Sequence, residues 1–321
     1  MDKIIAVLGC GYWGTIVVNT LVSLKLFKTI YICDTDIKKT NILKKKFKDK
    51  VKYIKYNEIV KNKEIKNIFL ATPPRNNFKI LKELIKSKKN ILVEKPGLTS
   101  VKQYKVIKKI SKKYKCKIMF GYIYVYNNYI TYIKKIIKSK KLGNIKYINF
   151  QRQNFGPIRN KVSSIYDLAT HDISILHYLF NKKSILKKIV AHDILNKKNL
   201  DISFLNLKIG QTKIDINVSW LNPEKIRKII IIGSKKMLLF DEMNTKAPIK
   251  IYDNYVSFPK IDKFSKYYFN QSKYIYKGNS KSIKLIAKKP LDEEIKHFLN
   301  YKKVITDVNF SENVIKTISF L

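Results

Sequence analysis

Six residues near the start of the chain, Gly9-Cys10-Gly11-Tyr12-Trp13-Gly14, have the types and spacing that hold a pyrophosphate. In a G-x-G-x-x-G turn that leaves a strand and opens a helix, the first glycine permits the tight turn. The second lets the backbone approach the phosphates, and the third lets the helix pack closely on the strand. The helix N-terminus adds N–H groups and a partial positive charge. Asp34, twenty positions beyond Gly14, stands where a carboxylate accepts hydrogen bonds from a ribose 2′-hydroxyl. No arginine follows it to receive a 2′-phosphate, so the pattern favours NAD over NADP. Cys10 lies inside the turn, and Tyr12 and Trp13 are expected against the bound cofactor. A glycine pattern alone is weak; its place between an apolar run and a helical pattern is what gives it weight.

Two further sets point to the same end of a sheet. Ala71-Thr72-Pro73-Pro74 and Val93-Glu94-Lys95-Pro96 each follow a short apolar run, at the C-terminal strand ends where open α/β sheets bind ligands. Thr72, Pro73, Glu94 and Lys95 are therefore expected to line the cofactor site. Farther along, Asp167 and His171 stand four apart in a helical pattern and so share a face. Imidazole, with an ordinary pKa of about 6.5, suits proton transfer near neutral pH. The alternative for this pair is a structural helix contact. His177, His192 and His297 are expected to be structural or surface residues.

These residues need elements to position them. Ile4–Leu8, Thr29–Cys33, Ile68–Ala71, Ile91–Val93 and Lys117–Phe120 read as short buried strands. Between them, Trp13–Leu26, Asp36–Phe47, Phe78–Ile85 and Val101–Tyr114 read as helices. Such alternation argues for a parallel sheet covered by helices. After Gly121 the pattern changes. Ile130–Ile137 and Tyr166–Phe180 read as helices among strand-like segments at Ile145–Gln151, Ile185–Ile194, Ile202–Ile209, Thr212–Trp220, Lys228–Ile232 and Met237–Phe240, with Asp292–Asn300 a later helix. Alternating apolar and polar residues, as in Ile214-Asp215-Ile216-Asn217-Val218, suit an antiparallel sheet with one covered face. The fold expected is α/β, with a dinucleotide-binding domain over residues 1–121 and an α+β domain over residues 122–321. The segment 260–289, rich in Lys, Tyr, Ser and Asn, resists assignment.

Composition narrows the class. At 321 residues the chain has room for two domains, and a hydrophobic share of 45% supports real cores. No apolar run approaches the roughly 20 residues needed to span a bilayer. The run ending in Cys10 is too short for a signal sequence, and glycines follow at once. Cys10, Cys33 and Cys116 are widely spaced, with no paired metal-ligand pattern and no implied disulfide. A cytoplasmic protein with no metal site is expected. The net charge of +44 invites a nucleic-acid partner. Yet Arg75, Arg152, Arg159 and Arg227 are the only arginines, and arginine is the residue suited to bidentate base and phosphate contacts. The lysines spread along the whole chain on outer faces, as codon bias in an AT-rich genome would place them. Neither a specific nucleic acid nor a membrane is expected as partner.

The ordered set GCGYWG, Asp34, ATPP, Glu94-Lys95-Pro96 and Asp167-x-x-x-His171-Asp172 resembles the glucose–fructose oxidoreductase / inositol dehydrogenase / rhizopine-catabolism (Gfo/Idh/MocA) family. Gln151-Arg152-Gln153-Asn154-Phe155-Gly156-Pro157 followed by Tyr166–Ser174 is similar to the branch holding UDP-N-acetylglucosamine and UDP-N-acetylglucosaminuronate 3-dehydrogenases. The resemblance implies an N-terminal Rossmann domain and a C-terminal domain with a large open, mainly antiparallel sheet that often mediates oligomerisation. A homodimer or homotetramer is then expected.

In that family the lysine of the EKP motif and the histidine of the D-x-x-x-H motif flank the reacting carbon, and these map to Lys95 and His171. The roles implied are proton acceptance by His171, stabilisation of the oxygen by Lys95, and orientation of the base or of a neighbouring hydroxyl by Asp167. Arg152 and Asn154 are candidate substrate contacts, with salt bridging at a strand edge as the alternative. The chain departs from the family at Asn77 and Asn90, where relatives carry histidine, at Tyr122 in place of a histidine, and at Ser163 in place of asparagine. The function implied is hydride transfer between nicotinamide and a ring hydroxyl carbon of a sugar or sugar nucleotide, with C3 of a UDP-amino sugar as the finer expectation. The rival is a non-catalytic NAD- or sugar-sensing protein on the same scaffold.

Overall fold

The computed structural model describes residues 3–158, 162–195, 199–256 and 275–319. Arg159 and much of the segment 260–289 lie outside the described residues. The chain divides into two compact units, one of residues Met1–Asn127 with Lys288–Leu321, the other Asn128–Ala287.

In the first unit, β1 (Lys3–Leu8), β2 (Phe27–Cys33), β3 (Val51–Tyr53), β4 (Asn67–Leu70), β5 (Asn90–Glu94) and β6 (Ile118–Gly121) form one sheet. Its order is β3-β2-β1-β4-β5-β6, and every neighbouring pair is parallel. The helices α1 (Tyr12–Leu24), α2 (Ile37–Phe47), α3 (Tyr56–Lys61), α4 (Pro74–Lys86) and α5 (Val101–Tyr114) make the connections. Ala6, Val7, Phe69, Leu70, Leu92 and Val93 are wholly buried, as the apolar runs of a parallel sheet must be when both faces are covered. The strand order reverses between β1 and β4, the switch point at which such sheets open a crevice beyond the strand ends. The short β3 and α3 carry too few apolar residues to show in the sequence.

The second unit begins with α6 (Asn128–Lys138) and β7 (Ile145–Phe155). A widened turn over Ile165–Ala169 then runs into α7 (Thr170–Phe180). β8 (Ile185–His192), β9 (Ile202–Ile209), β10 (Thr212–Ser219), β11 (Leu221–Gly233), β12 (Met237–Asp241) and β13 (Ile249–Tyr252) follow. β14 (Tyr255–Val256) pairs with β15 (Ile275–Tyr276), and β16 (Ser280–Ile283) closes the set. Among the described residues the main sheet has the order β16-β13-β12-β11-β7-β10-β9-β8. It is antiparallel except where β7 lies parallel to β10. Period-two burial in β9 and β10 turns Leu205, Leu207, Ile214 and Ile216 to the covered face, while Phe204 and Lys213 face out.

The chain then returns to the first unit. α8 (Pro290–Asn300) packs against α1 and the segment Ile123–Tyr126, and α9 (Val308–Ile318) packs against α5 and β6. The Phe120 N–H donates to the Thr306 carbonyl at 2.8 Å. This corrects the expected assignment of everything after residue 121 to the second domain. The apolar stripe of α9, with Val314, Ile315 and Ile318 buried, has its partner in α5, and sequence distance gives no sign of that pairing. No helix among the described residues is long and apolar enough to cross a membrane.

Candidate active site

The glycine turn sits at the end of β1. Gly9 has φ +94°, and a Cβ there would lie 2.7 Å from the Ala71 carbonyl oxygen. A Cβ on Gly14 would lie 1.8 Å from the Gly9 carbonyl oxygen, so the helix start can press on the turn only with glycine there. Gly11 differs. Its φ of −69° is open to any residue, and a Cβ would meet nothing within 4 Å among the described residues. Internal packing thus requires glycine at 9 and 14 but not at 11, whereas a pyrophosphate drawn against this backbone requires it. Gly11 provides no side-chain cap to α1, and the first turn of α1 holds no acidic residue to repel phosphate.

Asp34 stands beside the turn at the end of β2. One carboxylate oxygen accepts the Cys10 N–H at 2.6 Å and the other accepts the Asp36 N–H at 2.8 Å. Each oxygen keeps acceptor capacity for a ribose hydroxyl. The Cys10 thiol points to the Cys33 carbonyl at 3.9 Å. Burial first, and then Asp34, push it up to about 12, and burial pushes Cys33 up to about 11. Both thiols stay protonated and unreactive near neutral pH. Tyr12 is 85% exposed at the start of α1, an apolar ring open to a ligand, whereas Trp13 is half-buried with its indole N–H in the interior.

Two loops border this turn. Thr72 Oγ1 donates to Asn77 Oδ1 at 2.5 Å, and Asn77 Nδ2 donates to the Gly97 carbonyl at 2.9 Å. Asn77 is wholly buried, so this departure from the family pattern ties the Thr72-Pro73 loop to the Glu94-Lys95-Pro96 loop. Pro73 caps α4, with Pro74 in its first turn. Lys95 and Glu94 are half-buried. Gly97 has φ +78°, and a Cβ there would meet the Phe120 ring at 2.4 Å. Asn90 begins β5, with its Oδ1 accepting the Lys117 N–H at 3.1 Å. It therefore lies at the opposite end of the strand from Glu94.

In the second unit every residue from Ser164 to Leu179 is buried except Tyr166, Asp167 and His171. The helix is not α-helical throughout as expected. The Thr170 N–H reaches back to the Ile165 carbonyl, so Ile165–Ala169 forms a π-turn, a widening frequent at functional sites. Asp167, Asn154, Trp220, Lys225 and Arg227 line a cleft of about 440 Å³. Asn154 Oδ1 accepts from Arg227 Nη2 at 2.5 Å, and Arg227 Nη1 donates to the Gln153 carbonyl at 2.8 Å. Arg152 does not line the cleft. It is 4% exposed, and its Nε and Nη2 both donate to Asp172 Oδ1, at 2.9 and 2.7 Å. Burial raises the Asp172 carboxyl, against the pull of Arg152 and Arg227.

Arg227, Lys225 and Trp220 were not legible as site residues. The register of β11 against β7 shifts between Leu221 and Ile226, and an irregularity of that kind re-aims side chains without leaving a sequence signal. His177, 5% exposed and 3.0 Å from Ser184 Oγ, is lowered to about 4 by burial. His297 Nε2 accepts the Ile305 N–H at 3.2 Å. Among the described residues no group of three or more His, Cys, Asp or Glu could hold a metal ion.

Comparison with known proteins finds a family match for part of the first unit. Residues 3–122 match the Gfo/Idh/MocA model, described as an oxidoreductase family with an NAD-binding Rossmann fold. Glucose-6-phosphate 3-dehydrogenase of Bacillus subtilis (strain 168) is 26% identical over 123 residues. That match covers 34% of this chain and 35% of the relative, so it spans about a third of the relative's length. UDP-N-acetylglucosamine 3-dehydrogenase GnnA from Acidithiobacillus ferrooxidans superposes with TM-score 0.79 at 15% identity, covering 100% of this chain and 96% of its own. A variant of KijD10, a 3-ketoreductase from Actinomadura kijaniata solved with TDP-benzene and NADP, also reaches TM-score 0.79 at 10% identity, covering 100% and 97%. At these identities the two structures show likeness of fold.

Proposed function

We propose, from the match of residues 3–122 to the NAD-binding Rossmann model of the Gfo/Idh/MocA oxidoreductases, that the protein is an NAD-dependent dehydrogenase acting on a ring hydroxyl carbon of a sugar or sugar nucleotide. C3 of a UDP-amino sugar is the finer form of this reading. The observation that carries it is Gly11, a glycine that packing within the protein does not require and that a dinucleotide does. Gly9 and Cys10 would shape the turn, their N–H groups being given to the Cys33 carbonyl and to Asp34. The N–H groups of Gly11, Tyr12, Trp13 and Gly14 at the start of α1 would hold the pyrophosphate, and Asp34 would hold the adenosine ribose. Thr72, Pro73, Glu94 and Lys95 would border the rest. The preference for NAD over NADP follows from the Asp34 carboxylate, which repels a 2′-phosphate.

When bound, the nicotinamide supplies the hydride acceptor. The chain's own groups handle the proton and the developing charge. His171 takes the hydroxyl proton, Lys95 donates a hydrogen bond to that oxygen and stabilises its negative charge, and Asp167 orients the base or holds a neighbouring hydroxyl. Asn154 and Arg227 at the cleft suit a hydroxyl-bearing ring, since planar hydrogen-bonding groups match its polar edges. A homodimer or homotetramer belongs to the same reading, because Val190 and Phe204 lie 41% and 40% exposed on the large sheet. Sedimentation equilibrium giving a monomer would overturn that part.

The experiment is an NAD-reduction assay against UDP-sugars, sugar phosphates and polyols, with His171→Ala beside the wild type. Turnover of at least one hydroxyl substrate is expected, abolished in His171→Ala with NAD binding retained. Undiminished turnover in His171→Ala would remove the assignment of the base.

A further inference from the structure

We propose that Tyr104, Ser311 and Tyr122 form a buried hydrogen-bond relay that positions Lys95 for the reaction. The relay ends on the residue after that lysine. Tyr104 Oη donates to the Pro96 carbonyl oxygen, which also accepts the Leu98 N–H at 3.0 Å. Ser311 Oγ donates to Tyr104 Oη at 2.9 Å, and Tyr122 Oη lies 2.9 Å from Ser311 Oγ. A carbonyl can only accept, so Tyr104 must donate to it. Ser311 then donates to Tyr104, and Tyr122 to Ser311. The direction of all three protons follows from one end of the chain.

Tyr104, Ser311 and Tyr122 are each 0% exposed. Burying three hydroxyls costs free energy that Phe, Ala and Phe in the same places would not incur, unless the hydrogen bonds are complete. Here each oxygen is engaged and the last bond leaves the core for the loop. Burial raises both phenols, so they remain proton donors throughout the working range. The relay joins α5, the segment after β6 and α9 to one turn. A second brace acts from the side, where Asn77 Nδ2 holds the Gly97 carbonyl at 2.9 Å. A backbone held at Pro96 and Gly97 restricts where the Lys95 side chain can start, and misplacement of a catalytic group by about 1 Å costs on the order of a hundredfold in rate.

The proposal rests on the reading of Lys95 as the group beside the reacting oxygen, so its test has one arm that needs no activity. Amide hydrogen exchange over residues 95–99 is compared in wild type, Tyr104→Phe and Ser311→Ala. Exchange at Leu98 should quicken about tenfold in both variants, with the rest of the Rossmann sheet unchanged. In the second arm, kcat with a hydroxyl substrate turned over in the NAD-reduction assay should fall about tenfold while the NAD Kd holds. On a Lys95→Met background the Tyr104→Phe change should then cost nothing more. Unchanged exchange at 95–99 in a folded Tyr104→Phe or Ser311→Ala variant overturns the relay. A loss that adds in full to that of Lys95→Met assigns the hydroxyls to fold stability alone and overturns their positioning role. Absence of any turnover in the wild type defeats the dehydrogenase reading, and the exchange arm then still decides whether the relay holds the loop.

Discussion

The backbone N–H of Cys10 donates to the Asp34 carboxylate over 2.6 Å, joining the glycine turn at the end of β1 to the end of β2. The acid that would select the cofactor's ribose therefore also holds the turn that would hold its phosphates. Asp34→Asn keeps an oxygen for Cys10 but removes the charge. It should weaken NAD by about 1.5 kcal/mol, roughly tenfold, and narrow the preference for NAD over NADP. Calorimetric titration with both nucleotides checks this, and an unchanged NAD to NADP ratio would remove Asp34 as the selector.

Gly11 and Gly14 should separate ligand from fold. Gly11→Ala adds a methyl group with no neighbour within 4 Å among the described residues, so the melting temperature should hold while NAD affinity falls about tenfold or more, ~1.4 kcal/mol. Gly14→Ala places a methyl group 1.8 Å from the Gly9 carbonyl and should cost about 1–3 kcal/mol of stability or more. Equal NAD affinity in wild type and Gly11→Ala would show that the phosphates lie elsewhere.

Arg152 and Asn154, neighbours on β7, should behave as opposites. Arg152→Ala leaves the Asp172 carboxyl, 2% exposed, without the guanidinium that pairs with it, which should cost about 3–5 kcal/mol in urea unfolding. Asn154→Ala, at the cleft, should cost less than about 1 kcal/mol and raise KM for the sugar instead. A stable Arg152→Ala variant with a raised KM would return Arg152 to the substrate contacts.

Glu294 governs a pH effect. It is 0% exposed on α8, neither of its oxygens has a hydrogen-bond partner among the described residues, and burial, then the nearby Glu94, raises its carboxyl well above the usual range. The folded state therefore holds this proton at pH values where the unfolded chain has released it. Below the ordinary carboxylate pKa both states are protonated and the group is neutral in its effect. As pH rises from there toward the raised value, stability falls by about 1.4 kcal/mol per pH unit. Glu294→Gln removes that slope, so its advantage over wild type should grow from pH 5 to pH 8 in urea unfolding. A constant difference across that range would mean the carboxyl is not held protonated.

Much of the fold was legible because its signals are local. The apolar runs of β1, β4 and β5, the helical spacing of α5 and the alternation in β10 depend on residues a few positions apart, and the glycine spacing with Asp34 is likewise a property of one βαβ unit. Other features depended on residues far apart in the chain. That α9 lies on α5, so that Ser311 reaches Tyr104, is decided by packing of two apolar stripes that the sequence does not pair. The burial of Arg152 on Asp172, the irregularity in β11 before Arg227 and the bridge made by Asn77 are of the same kind. What the sequence by itself determined is the type of those elements whose pattern is local and strong, and the chemistry their residues can offer. The tertiary structure alone decided which polar groups meet inside, because a buried hydroxyl or charge is stable only where folding brings it a partner.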